Sequence, residues 1–312
     1  MSRRRRALGA VAPACLALAL AVRVAAPAAG DVVIKQGSVE GRAYRLYVPV
    51  ALVQSDGDQP ARPLVIALHG CWQTPEDFVT TTRLAEAADR RGLLVVVPAQ
   101  GRRDNPSRCW NWFVHEEPAR GRGEIRQILA IVADVQRHYP VARERTIVIG
   151  FSAGGYMAVN LACAAPDVVS GVGVASGGPY RCGLGALGAL NCMRGQGLDG
   201  EAAAAACRVT MGRQARPLRA SLWQGADDPV VNASSLKALA AMFVRLDGAG
   251  AGTAEASGAV VHRDAAGRPM VQAWLIEGMG HAWSGGDARG THAYPSGPST
   301  TDAMLDFLLG RE

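Results

Sequence analysis

The sequence predicts an α/β fold, a mostly parallel central sheet with helices flanking it. Three observations predict this. Short apolar runs bounded by Gly and Pro recur along the 312 residues, and the later ones are apolar almost throughout, as strands covered on both faces are. Segments with apolar residues at helical spacing lie between them, and strands alternating with helices form parallel sheets joined by right-handed crossovers. The hydrophobic fraction of 49% against 19% charged residues supplies the core such a sheet needs and excludes a disordered or fibrous chain.

The strands are expected at residues 44–50 (YRLYVPV), 63–70 (PLVIALHG), 93–98 (LLVVVP), 145–150 (RTIVIG), 169–178 (VVSGVGVASG), 219–225 (RASLWQG) and 271–278 (VQAWLIEG). Pro75-Glu76-Asp77 opens a helix that runs through LAEAADRR to Gly92, and Glu124 opens a second with apolar residues at 125, 128, 129, 132 and 135. Helices are also expected at 153–165, 232–246 and 300–309. Residues 179–217, rich in Gly and Ala with three cysteines, break the rhythm and read as an inserted segment. The stretch AGAGTAEASG at 249–258 reads as a surface loop.

Residues 1–28 combine an arginine cluster, an apolar stretch at 7–22 and the small residues Ala26-Pro27-Ala28, the layout of an export signal. The stretch is shorter than the roughly 20 residues of a membrane span, and Arg23 interrupts it. A secreted or periplasmic protein without a stable membrane span is therefore expected, with one domain over 29–312. Ser2-Arg3-Arg4 has a faint twin-arginine character, and Cys15 is a minor candidate for lipidation. Loss of the signal's five arginines lowers the formal charge from +6 to +1. The basic balance belongs to the signal, and the scattered remaining arginines exclude a nucleic-acid partner. A monomer is expected.

Six cysteines remain: Cys71, Cys109, Cys163, Cys182, Cys192 and Cys207. An even number in an exported chain points to disulfides, whose connectivity the count leaves open. There is no C-x-x-C pair, and His69 lies two residues from Cys71, a poor match to zinc-ligand spacing. No metal or cofactor is expected.

The chemistry-bearing signal is Gly150-Phe151-Ser152-Ala153-Gly154, a G-x-S-x-G after an apolar strand and before a helix. Small residues allow the sharp strand-to-helix turn of a nucleophile elbow, which exposes the serine at the positive end of the helix. A serine hydroxyl needs an adjacent base, and that base an orienting acid, which in this architecture follow in the order Asp or Glu, then His. Asp227 and Asp228 follow the 219–225 strand, and His281 follows the 271–278 strand in a Gly-rich loop. The other histidines lie before the elbow, in or before the crossover helix, in a loop at 262 or in the tail at 292. Asp228, directly before Pro229, is placed to turn toward the histidine loop, leaving Asp227 as a turn residue.

HGCWQ (69–73), NPSRCWNW (105–112), GFSAGGYM (150–157), WQGADDPVV (223–231) and GMGHAWSGG (278–286) together resemble the exported polyhydroxybutyrate depolymerase and esterase family of α/β-hydrolases, which includes feruloyl and acetylxylan esterases. The resemblance runs from about Ser38 to the C-terminus in the family's order. Its G-x-x-D-x-x-V pattern falls on Gly225, Asp228 and Val231 and favours Asp228 over Asp227. It implies an α/β-hydrolase fold, oxyanion donors at the backbone N–H groups of Cys71 and Ala153, and a Cys71–Cys109 disulfide that steadies the first of them. The pairing of Cys163, Cys182, Cys192 and Cys207 stays open, with two of the three cysteines in the insert expected to bridge and Cys163 read as a core residue. Trp72, Gln73 and Trp283 adjoin the catalytic segments and are expected to line a substrate pocket, with packing of the loop bases an equally good reading for any one of Trp72, Trp110, Trp112 and Trp283.

The resemblance thus implies a serine carboxylic-ester hydrolase acting through an acyl-enzyme with Ser152, His281 and Asp228. The expected substrates are 3-hydroxybutyrate oligomers or polyester, the alternative being feruloyl or acetylxylan esters of plant polysaccharide, and a noncatalytic binding protein on the same scaffold is the rival class. Depolymerases of solid polymer often carry an appended binding module, and the last expected helix ends near Glu312, so soluble oligomers or small esters stand beside polymer as expected substrates.

Overall fold

The computed structural model describes residues 32–53, 59–115 and 120–310; the expected export signal lies outside them. In chain order the elements are β1 (Val32–Val39), β2 (Arg42–Pro49), α1 (Val50–Val53), β3 (Arg62–Leu68), α2 (Pro75–Thr82), α3 (Leu84–Arg91), β4 (Leu94–Pro98), α4 (Gly123–His138), β5 (Val141–Phe151) and α5 (Ala153–Ala164). There follow β6 (Gly171–Ala175), α6 (Gly185–Met193), α7 (Gly200–Met211), β7 (Arg219–Gly225), α8 (Ser234–Asp247), β8 (Gly252–Ala254), β9 (Val260–Arg263), β10 (Pro269–Ile276), β11 (Trp283–Ser284), β12 (Ala293–Tyr294) and α9 (Thr300–Leu309).

Ten strands form one sheet in the order β1-β2-β4-β3-β5-β6-β7-β10-β9-β8. Pairing is parallel from β4 through β10 and antiparallel toward both edges. The chain winds from β3 to β4 on one side and to β5 on the other. The reversal falls between β3 and β5, at whose carboxyl ends ligands bind in open α/β sheets.

Helices cover both faces. Ile128, Val132, Met157, Leu161, Leu222 and Phe243 pack on one face, and Phe78, Leu84, Val95, Ile147, Met304 and Leu308 on the other. Each such side chain contributes about 1.5–3 kcal/mol by leaving water, which fixes the strand ends on which the loops stand. No helix among the described residues is long and apolar enough to cross a membrane.

The structure departs from the sequence reading at several places, adding the short elements α1, β9, β11 and β12 to those expected. The helix expected from Pro75 to Gly92 is two helices, broken at Arg83 in the left-handed conformation with φ 55° and ψ 30°. Three consecutive threonines precede the break, and the hydroxyls of Thr80, Thr81 and Thr82 bond back to the carbonyls of Glu76, Asp77 and Phe78 at 3.0, 3.0 and 2.7 Å. Such back-bonding competes with the helical ladder and weakens it. The 249–258 loop contains β8, an exposed edge strand of three residues. β1, where VVIKQGSV lacks an apolar run, also borders the sheet, its strand character set by pairing with β2.

Candidate active site

Ser152 sits between β5 and α5 with φ 54° and ψ −122°, a strained conformation for a residue with a side chain. The flanking glycines explain how the turn closes. A Cβ at Gly150 would run into the Gly154 carbonyl, and one at Gly154 into the carbonyls of Leu68 and His69. Gly154 therefore allows the start of α5 to rest directly on the turn after β3. The Ser152 N–H donates to Ala175 O at 2.9 Å.

His281 reaches the elbow from the loop after β10. Its Nε2 lies 2.9 Å from Ser152 Oγ, and its Nδ1 lies 2.8 Å from Asp228 Oδ2. The Asp228 side chain is fully buried and that of His281 is 10% exposed. Oδ1 of Asp228 accepts from the Val230 and Val231 N–H groups at 2.8 and 2.9 Å, and Oδ2 also accepts from Gln224 Nε2 at 3.0 Å. Burial pushes this carboxyl up, but His281 and the two backbone donors outweigh it and hold Asp228 below the usual carboxylate range. Asp227 is exposed, with its N–H donating to Met279 O at 3.1 Å. The geometry thus separates the two aspartates. With Asp228 accepting at Nδ1–H, the histidine presents Nε2 as an acceptor toward the serine.

The turn after β3 faces the elbow. Gly70 N–H donates to Gln73 Oε1 at 2.9 Å, Trp72 N–H to Ser107 O at 2.7 Å and Gln73 N–H to Gly70 O at 3.4 Å. The Cys71 N–H lies between these tied amides. Ala153 opens α5, so its N–H is one of the four that no helical turn satisfies. Cys71 and Cys109 are joined by a disulfide. Closing a loop of that length contributes about 4 kcal/mol in the chain-entropy model.

His69 is wholly buried, its Nδ1–H donating to Gly70 O at 2.8 Å and its Nε2 accepting from Gln100 N–H at 3.1 Å. Burial lowers its pKa from 6.5 to about 4. The stability it contributes is present above pH 6.5 and is lost as the pH falls from there to about 4. The lowered pKa corresponds to about 3 kcal/mol. The difference in unfolding free energy between wild type and the non-titrating His69→Gln variant, followed by urea denaturation, is expected to shrink across that window. A difference independent of pH would contradict a neutral buried His69.

Among the expected pocket residues, only Trp72 faces outward, at 64% exposure. Trp283 is in the core instead, edge-on to Phe78 with its indole N–H donating to Thr301 Oγ1 at 3.0 Å. It heads β11, which is buried, with Thr301 of α9 against Trp283 and Gly297 against Ser284, so the alternative of packing wins. Gln73 is also buried, bracing Gly70 and reaching Thr291 Oγ1 at 3.2 Å. Trp110 and Trp112 pack the loop bases, Trp112 stacking on Tyr156 with ring centroids 3.9 Å apart.

Two further disulfides join Cys163 to Cys207 and Cys182 to Cys192. Cys163 is therefore not a plain core residue. It faces α7 from α5, a meeting of elements that sequence spacing does not reveal. The sequence reading also missed Gln100, whose partners lie on other segments, Gln224, which meets Asp228 four residues on, and His292, which lies edge-on to His281 with centroids 5.8 Å apart. None of these carries a local motif. Three disulfides are the mark of a chain that matures in an oxidising compartment.

A mostly parallel sheet with flanking helices, and a serine on a strand-to-helix elbow at its carboxyl edge, define the α/β-hydrolase class. Within that class the chain belongs to the Esterase PHB depolymerase family, whose model matches residues 42–268. It is 32% identical over 228 residues to poly(3-hydroxyalkanoate) depolymerase C of Paucimonas lemoignei, a match covering 70% of this chain and 54% of that protein. It is also 32% identical over 160 residues to feruloyl esterase B of Neurospora crassa, covering 48% and 50% of the two chains. The chain thus spans about half the length of these relatives. The acetyl xylan esterase from Aspergillus awamori shares the fold, with a TM-score of 0.68 at 16% identity over 80% of this chain and 94% of that one.

Proposed function

We propose that the protein is an exported carboxylic-ester hydrolase that works through an acyl-enzyme on Ser152. The observation that carries this reading is the unbroken path from Ser152 Oγ through His281 to the buried Asp228 carboxylate, with spacings of 2.9 and 2.8 Å. Ser152 Oγ attacks the ester carbonyl as His281 Nε2 takes its proton. Asp228 keeps the proton of the imidazole on Nδ1 and stabilises the imidazolium that forms. The negative charge developing on the carbonyl oxygen is met by the N–H groups of Cys71 and Ala153, each such donor contributing about 3–4 kcal/mol in the transition state. His281 then protonates the leaving alcohol. A water activated by the same nitrogen releases the acid and regenerates Ser152.

The proposed substrates are 3-hydroxyalkanoate oligomers or polyester. The depolymerase among the relatives supports this choice, and the outward-facing indole of Trp72, next to Cys71, offers an apolar surface beside the reacting carbonyl. The feruloyl esterase relative supports the alternative of hydroxycinnamoyl esters, since an indole also stacks on an aromatic acid. Comparing kcat/KM for 3-hydroxybutyrate oligomers, methyl ferulate and acetylated xylan decides between them. The oligomers are expected to lead, and preference for either of the others would overturn the assignment. Export to an oxidising compartment accords with the three disulfides.

A further inference from the structure

Beneath the turn that carries Cys71 lies a buried polar cluster that takes no part in the reaction described above. Arg42, at the start of β2, has a side chain only 2% exposed, and that of Glu124, in the first turn of α4, is 5% exposed. Burying two such ions is costly unless every remaining donor and acceptor is satisfied, and here they are organised around Gln100. The Arg42 guanidinium donates to Gln100 Oε1 and, at 3.0 Å, to Ala99 O, and it approaches Glu124 Oε1 at 3.7 Å. It also lies over the Trp110 ring, 5.2 Å from the centroid. Glu124 in turn accepts from the N–H and Nδ2 of Asn111 at 2.8 and 2.9 Å.

Gln100 is the point where this cluster meets the oxyanion turn. Its Nε2 donates to Glu124 Oε1 and, at 2.9 Å, to the carbonyl of Cys109, the residue bonded through sulfur to Cys71. Its backbone N–H donates to His69 Nε2, and His69 Nδ1–H holds the carbonyl of Gly70. Both neighbours of the Cys71 peptide are therefore held by one residue, from one side through the disulfide and from the other through the histidine. A hydrogen-bond donor for a transition state acts fully only when it is fixed to within about 0.5 Å before the reaction begins. A disulfide alone leaves its partner loop free to move with it; Gln100 ties that loop to an ion pair in the core.

We propose that Gln100 is a positioning residue for the oxyanion donor, its side chain transmitting the rigidity of the buried Arg42–Glu124 pair to the Cys71 N–H through Cys109 and the disulfide, while its backbone N–H separately holds His69. This rests on the assignment of Ser152 as nucleophile and of Cys71 N–H as a donor. Gln100→Leu keeps the volume and removes the side-chain bonds. Per active site titrated with a fluorophosphonate, it is expected to lower kcat on p-nitrophenyl acetate about 10- to 100-fold with KM changed less than about two-fold, since the donor acts only in the transition state. Affinity for a trifluoromethyl ketone, which forms an oxyanion on the serine, is expected to fall in parallel. Asn111→Ala, which loosens Glu124 from the rim, is expected to act in the same direction and serves if Gln100→Leu does not fold. In the Cys71→Ser/Cys109→Ser background, Gln100→Leu is expected to add much less than in the wild type, because the link it acts through is gone. Unchanged kcat per titrated site in the folded variant, or losses that multiply independently of the disulfide, would overturn the proposal. If instead Ser152→Ala retained full activity, the underlying reading of the site would fail, an outcome the titration separates from the first.

Discussion

Ser152→Ala is expected to lower kcat on p-nitrophenyl esters by about 10⁶, the scale on which losing the nucleophile of a hydrogen-bonded triad acts. The side-chain hydroxyl meets His281 Nε2, while the residue's backbone bonds to Ala175 and Tyr156 survive the substitution. The variant is therefore expected to fold and to bind ester with little change in KM. A residual rate above that in water is expected too, because the N–H groups of Cys71 and Ala153 still meet a carbonyl attacked directly by water. Rates equal to wild type would sink the hydrolase reading and leave a binding protein on the same scaffold. A parallel loss of fluorophosphonate labelling ties the effect to the hydroxyl itself.

How far the sequence reveals this site depends on how local each constraint is. The elbow at 150–154 is legible because its small residues and its serine fall within five consecutive positions between a strand and a helix, although only Gly150 answers to a local carbonyl, that of Gly154, and Gly154 answers to those of Leu68 and His69. His281 is legible by its place after the last long strand. The choice of Asp228 over Asp227 is legible only weakly, since it depends on which carboxylate the backbone of Val230 and Val231 captures. Interactions across long separations are legible only where a motif or the family resemblance marks both partners, as it does for Cys71 and Cys109. Gln224 meets Asp228 within one turn, but its role follows from the burial of both. Cys163 joins Cys207 only because α5 packs on α7. Trp283 reads as a pocket residue from its distance to His281 in sequence, whereas the chain turns at that point and drives it under α9. The break at Arg83 is prepared by three threonines at the end of α2, whose hydroxyls compete with its backbone ladder.

Asp228→Asn is expected to lower kcat about 10⁴-fold with KM little changed, the loss a mis-set histidine tautomer causes in serine triads. The donors around this carboxylate dictate the outcome. Oδ1 accepts from two backbone N–H groups, and Oδ2 accepts from Gln224 Nε2 and His281 Nδ1. An amide has only one acceptor oxygen, and the rigid Val230 and Val231 donors will claim it. The amide nitrogen then faces His281 Nδ1, which must become an acceptor, so the ring proton moves to Nε2 and points at Ser152. A histidine in that state takes no proton from the serine. The folded structure also loses one acceptor of Gln224 Nε2, which keeps Val231 O at 2.9 Å, and leaving one buried N–H unmet costs about 1–3 kcal/mol, so a lower Tm accompanies the loss of rate. Asp227→Asn is the matched control. Asp227 is exposed, and exposed substitutions of this kind change free energies by about 0.5 kcal/mol or less, so its kcat is expected to stay within about two-fold of wild type. Comparable losses in the two variants would show that Asp228 does not orient His281, and would move the search for the orienting acid elsewhere in the loop after β7.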